Sequence, residues 1–169
     1  MHFKRRFPKM IFTDDAWMLS ERNKITYSDI ETYLVDSFGG LDAAYWWSIG
    51  DHEVYHYETK IGERFGAGYE KFNEDLESFV HKQTPGVVQN INNNVNLLID
   101  NYGGPLNVIS EICRDNQISF YPRIRMNSHY PIDFDHVGHG DFRRKHSEWL
   151  IGKPGEDIAK DTLEYGIRT

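Results

Sequence analysis

Residues 118 to 127, ISFYPRIRMN, alternate in a way that few folds accommodate. Ile118, Phe120, Pro122, Ile124 and Met126 suit a core, while Ser119, Tyr121, Arg123, Arg125 and Asn127 between them are polar or amphipathic. Successive side chains of a strand point to opposite faces, so the stretch reads as a strand with one apolar and one polar face. A parallel sheet covered by helices on both sides needs both faces apolar. A barrel does not. There the apolar face packs under the outer helices, the other points inward, and polar groups near the strand's C-terminal end reach the rim where such barrels keep their sites. Pro122 is the one discordant residue, because proline removes a donor from the strand ladder.

Upstream, strands and helices alternate. MIFTDD, from residue 10, reads as a short strand running into two acids. TYSDIETYLVDSFGG reads as a helix with Tyr27, Ile30, Leu34 and Phe38 on one stripe, Gly39-Gly40 ending it, and two capping-box patterns, Ser28 with Glu31 and Thr26 with Asp29. Leu41 to Ile49 is a second strand. The polar, Gly-rich YETKIGERFGAGY is a loop, and the spacing predicts helices over 70–81 and 87–102, although NINNN is poor helix material. Gly103-Gly104 breaks the chain, and Pro105 opens a helix at its favoured first position, with Leu106, Ile109, Ile112 and Cys113 inside. After the strand come a His-, Asp- and Gly-rich loop over 128–141 and a short helix or turn in FRRKHSEWLIG. Strands alternating with helices imply parallel pairing. No repeat or low-complexity linker divides the chain, so residues 1–169 read as one domain.

Composition narrows the function classes. The net charge is −7, and the one basic cluster, Lys4-Arg5-Arg6, is short, so a general nucleic-acid binder is not expected. No apolar run approaches a membrane span, and the basic N-terminus lacks the apolar core of a signal peptide. The single cysteine, Cys113, excludes an intrachain disulfide and reads as a core residue. Ten Tyr, ten Phe and four Trp suit a groove that binds something flat or ring-shaped, although cores also use aromatics.

Four segments, in order, resemble a glycosyl-hydrolase-like group of bacterial (β/α)8 barrels. They are FTDDAWML, YWWSIGDHEVYHYETKIGERFG, PLNVISEICRDNQISFYPRIRMNSHY and FRRKHSEWLIG. The shared features are an Asn-Asp pair after the first strand, matched here by Asp14-Asp15, an aromatic strand leading to Gly-Asp, a Y-x-T-K-x-G-E loop, an R-M-N strand end and an F-x-R-x-H-P-E-W-L turn. Two positions depart from the pattern: Ser128-His129 follows Arg-Met-Asn, and Ser147 replaces the proline of the turn. The resemblance implies an α/β fold, the N-terminal part (about three strands) of a TIM-type barrel that binds or hydrolyses carbohydrate at its C-terminal face. A whole barrel of this kind needs about 250 residues. The expectation is therefore a portion of a longer protein, inactive alone because a catalytic carboxylate lies on a later strand, and prone to self-association through open barrel edges. A non-catalytic carbohydrate-binding module, or a small α/β protein without sugar chemistry, is the alternative.

The candidate substrate-binding residues are Asp14, Trp46, Trp47, Asp51, His52, Arg125, Asn127 and His129, with no catalytic residue assigned and no cofactor expected. Asp14 and Asp15 are adjacent and must point opposite ways, so they cannot flank one glycosidic bond. Trp46 and Trp47 also diverge, one able to pack under a helix while the other offers a stacking platform. Arg125 suits a bidentate bond to a carboxylate, from a uronate, Asp14 or Asp51. Arg123, deeper, suits locking a neighbouring acid. His129, Asp133, Asp135, His136, His139 and Asp141 show no recognised ligand spacing and read as a hydrogen-bonded loop, so no metal is assigned.

Overall fold

The computed structural model describes residues 8–51, 53–65, 87–126, 140–146 and 148, with Asp51, Val87, Val88, Arg143 and Arg144 described in their backbone only. The helix expected over 70–81, the loop over 128–139 and the candidate residues His52, Asn127 and His129 lie outside the described residues.

The chain is an α/β protein built on a five-stranded mixed sheet. In order, the elements are β1 (Met10–Asp14), a 3-10 turn (Trp17–Leu19), α1 (Tyr27–Phe38), β2 (Ala43–Asp51), β3 (Val54–Tyr55), β4 (Glu63–Arg64), α2 (Val87–Tyr102), α3 (Pro105–Asp115), β5 (Ser119–Arg125) and α4 (Asp141–Lys145). β2 lies between β1 and β5 and pairs in parallel with both. β3 turns back antiparallel at the end of β2, and β4 pairs in parallel with β3. The turn needs Gly50: its φ is +143°, and a Cβ there would lie 2.3 Å from the Val54 carbonyl oxygen.

Local chemistry sets the helix ends. Of the two capping-box patterns at the start of α1, the structure uses Thr26, whose hydroxyl accepts from the Asp29 N–H while Asp29 accepts from the Thr26 N–H. α2 ends in an αL cap, with the Gly103 N–H donating to the Ile99 carbonyl and the Gly104 N–H reaching that of Leu98, both at 3.0 Å. Gly103 supplies the positive φ of +75° that this turn requires. Pro105 then opens α3.

One core holds the layers together. Ile30, Leu34 and Phe38 of α1, Ile91, Val95 and Leu98 of α2, and Val108, Ile109, Ile112 and Cys113 of α3 cluster with Tyr45 and Trp47 of β2, with Phe120 of β5 packed against them. All three helices thus join the same face of the parallel strands. Cys113 is fully buried, and burial pushes its thiol pKa up to about 12, so it is a packing residue.

The asparagine run in α2 has a structural use. Asn94 is fully buried, and its amide donates to the carbonyls of Leu19 and Arg22 while its oxygen accepts from the Ile25 N–H. Asn90, one turn earlier, donates to the Ser20 carbonyl. These side chains satisfy the backbone of the 19–25 connection between β1 and α1, which has no ladder of its own. The residues that weaken α2 as an isolated helix thereby fix the loop that follows the acids of β1.

Candidate site at the carboxyl ends of the parallel strands

Register assigns every strand residue to a face. Phe12, Tyr45 and Phe120 form one row across β1, β2 and β5, and Thr13, Trp46 and Tyr121 form the next. The first row faces the helices, with Tyr45 buried, Phe120 half-buried and Phe12, on the outer strand, 38% exposed. Phe12 packs on Phe38 at 4.9 Å between ring centroids, and Tyr45 stacks on Phe120 at 6.2 Å. The second row faces away, with Trp46 37% and Tyr121 50% exposed. Their rings lie 6.3 Å apart at 56°.

The next row on this open face is charged. Ser48 and Arg123 are register partners, and Asp15 follows β1 at the same level. The Arg123 Nη2 donates to Asp15 Oδ1, and Arg125 Nη1 stands 3.6 Å from Asp15 Oδ2. One carboxylate thus bridges two arginines two positions apart on one strand face. Asp51 is the register partner of Arg125 on the neighbouring strand. The arginines that looked out of place in the sequence therefore sit at the carboxyl ends of the strands, beside an exposed aromatic pair.

Asp14 takes the other direction. It accepts from the Tyr45 hydroxyl at 2.8 Å and from the Trp17 N–H at 2.9 Å. Burial raises its pKa, opposed by these hydrogen bonds. The Tyr45 phenol is likewise raised, first by burial and then by the facing Asp14 carboxylate. Ala16, immediately after the acids, is held in the left-handed region at φ 66° and is fully buried. Asp14 therefore braces the turn after β1 from the helix side, and Asp15 is the acid that meets the arginines.

Behind the charged row, His56 is buried against the end of β2. Its Nδ1 lies 3.2 Å from the Ser48 carbonyl, which as an acceptor places the proton on Nδ1. Trp47 and Phe65 flank the ring at 6.2 and 5.1 Å. Burial lowers its pKa to about 4, so the imidazole is neutral at neutral pH. The short α4 is tied to this end of the molecule by the Asp141 N–H, which donates to Glu63 Oε1.

Of the sequence candidates, Trp46 and Arg125 come together on the open face, while Asp14 and the fully buried Trp47 lie on the helix face. Asp15, Tyr121 and Arg123 join the site although they were not among the candidates. The signal for Tyr121 and Arg123 was present, since both lie in the polar set of the alternating strand. For Asp15 it was not: Met10, Ile11 and Phe12 are all apolar, so β1 carries no alternation to say which acid faces outward. Among the described residues, no group of three His, Cys, Asp or Glu side chains is placed to hold a metal ion, and no helix is long and apolar enough to cross a membrane. No family model matches the chain, and no curated protein matches it.

Proposed function

We propose that the chain forms part of a (β/α)8 barrel and that its open sheet face binds carbohydrate at the carboxyl ends of the strands. Two features support the barrel. β1, β2 and β5 stand side by side in chain order, and the helices between them share one face. One half of a doubly wound sheet shares that arrangement, but its second face is also covered and apolar, whereas here the second face carries Trp46, Arg123 and Arg125, as the interior of a barrel allows. The observation that carries the ligand reading is the exposed Trp46–Tyr121 pair next to Asp15, Arg123 and Arg125. Aromatic rings stack on the apolar face of a sugar, and the charged row supplies hydrogen bonds to its substituents.

Binding without hydrolysis is the form this chain's own residues favour. Glycoside hydrolysis normally needs two carboxylates flanking the bond. Asp14 is turned to the helix face, and Asp15 is engaged by two arginines. The test is calorimetry of the chain against a glycan panel, repeated with Trp46→Ala and Tyr121→Ala. The expected result is saturable binding by at least one glycan, weakened about tenfold or more by each change, as loss of an aromatic contact worth about 1.4 kcal/mol implies. No binding across the panel, or binding indifferent to both substitutions, contradicts the carbohydrate reading. Turnover of aryl glycosides by the isolated chain contradicts its non-hydrolytic form.

A further inference from the structure

We propose that the preferred ligand of this face is an acidic saccharide, with the sugar ring on Trp46 and Tyr121 and its carboxylate taken by Arg123 and Arg125. The inference rests on the carbohydrate reading and adds the substrate class. Same-face residues of a strand are about 6.8 Å apart, so the rows bearing Arg123 and Arg125 begin one step beyond the aromatic row along β5. A substituent on a stacked ring that points toward the strand ends comes to the level of Arg123 and the Asp15 carboxylate it holds.

The chemistry of those groups selects the substituent. A guanidinium has five N–H donors and no acceptor, whereas a sugar hydroxyl both donates and accepts. An ionised carboxylate only accepts, and its two oxygens match the planar fork of arginine. Asp15 already uses this match within the protein, and in doing so it holds the two guanidinium groups next to one another. With Asp15 in place, the Arg123 and Arg125 side chains remain 30% and 36% exposed. Asp15 bridges the two guanidinium groups and Asp51 is the register partner of Arg125, so the row carries as many carboxylates as arginines, and the selection of an acidic substituent rests on donor geometry rather than on a net positive charge.

The experiment compares oligouronates with their carboxyl-reduced, neutral counterparts, of the same linkage and length, by calorimetry on the full chain. Arg123→Gln and Arg125→Gln are measured beside the wild type, with circular dichroism to show that each is folded. The expected result is at least tenfold tighter binding of one oligouronate than of its neutral counterpart. That preference should shrink to within about threefold in Arg125→Gln and weaken as salt is raised from 0.05 to 0.5 M, since the Debye length then shortens roughly threefold and screens part-exposed charges. Neutral glycans binding as tightly as acidic ones overturn the proposal while leaving the carbohydrate reading intact. An acidic preference that survives unchanged in both folded arginine variants overturns the assignment to these residues. Failure of every glycan, acidic and neutral, removes the carbohydrate reading and this inference with it.

Discussion

Trp46 and Trp47 are neighbours in sequence and live in opposite environments. Trp47 is fully buried under the helices, with His56 beside it, while Trp46 looks out of the sheet next to Tyr121. The same contrast runs through the acids at the end of β1. Asp14 is drawn toward the helices by Tyr45 and the Trp17 N–H, and Asp15 faces the arginines. One face of the sheet packs against the helices, and the other is open among the described residues. Strand alternation alone produces this division, because two adjacent identical residues must go to different sides.

Substitutions on the two faces should therefore differ in kind. The largest effect is expected for Trp47→Ala, which opens a cavity in the core and should cost about 3–5 kcal/mol in denaturant unfolding. A cost below about 1 kcal/mol would mean that Trp47 is not the core residue described. Asn94→Ala comes next. It leaves the Ile25 N–H and the Leu19 and Arg22 carbonyls without their partner, at a cost of about 2–4 kcal/mol. Increased amide exchange through residues 19–25 should accompany it, and unchanged exchange there would contradict the staple.

His56 gives the helix-side account a pH signature. Its folded pKa is lowered by burial to about 4, from the 6.5 of a free imidazole. Between those values the unfolded chain takes up a proton that the folded chain does not. The contribution of this site is therefore fully present above pH 6.5 and is lost as pH falls toward 4. Between pH 7.5 and pH 5 the loss is on the order of 2 kcal/mol. Asp14 acts in the opposite sense, since its raised pKa favours the fold at low pH and that contribution is lost as pH rises through its folded pKa. The His56→Phe variant, whose ring suits the Trp47 and Phe65 neighbours, should unfold with a flatter dependence between pH 7.5 and pH 5. An equally steep profile would assign the acid sensitivity elsewhere. The smallest stability effects are expected for Trp46→Ala and Tyr121→Ala, within about 1 kcal/mol of wild type.

Much of this architecture was legible from periodicity. The stripes of α1 and α3 and the glycine break before Pro105 follow from residue spacing, and the structure places helices there; β5 is a strand as expected, but of its apolar set only Ile118 and Phe120 pack on the core, while Pro122, Ile124 and Met126 are exposed. Arg123 was legible as a partner for a neighbouring acid, because an inward arginine on a half-polar strand needs one. Three features were not. The choice of Thr26 over Ser28 as cap depends on where the chain leaves the 19–25 connection, which Asn94 fixes from 69 residues away through its bond to Ile25. The orientation of Asp14 and Asp15 depends on Tyr45 and on the turn at Ala16. The short β3 and β4 arise where the chain folds back at Gly50, in a segment whose sequence reads as a loop. In each case a contact distant in sequence decides between local options that the residues leave equal.

The central claim is that the open face, and not the helix face, receives a ligand. The indole N–H signals of a 15N-labelled chain test it directly during titration with the tightest glycan of the panel. The Trp47 Nε1–H is buried without a hydrogen-bond partner among the described residues, and Trp46 is exposed. The Trp46 signal should shift in a saturable way while that of Trp47 stays within experimental error. A shift confined to Trp47, or saturable binding that moves neither indole, would contradict the assignment of the ligand to the open face.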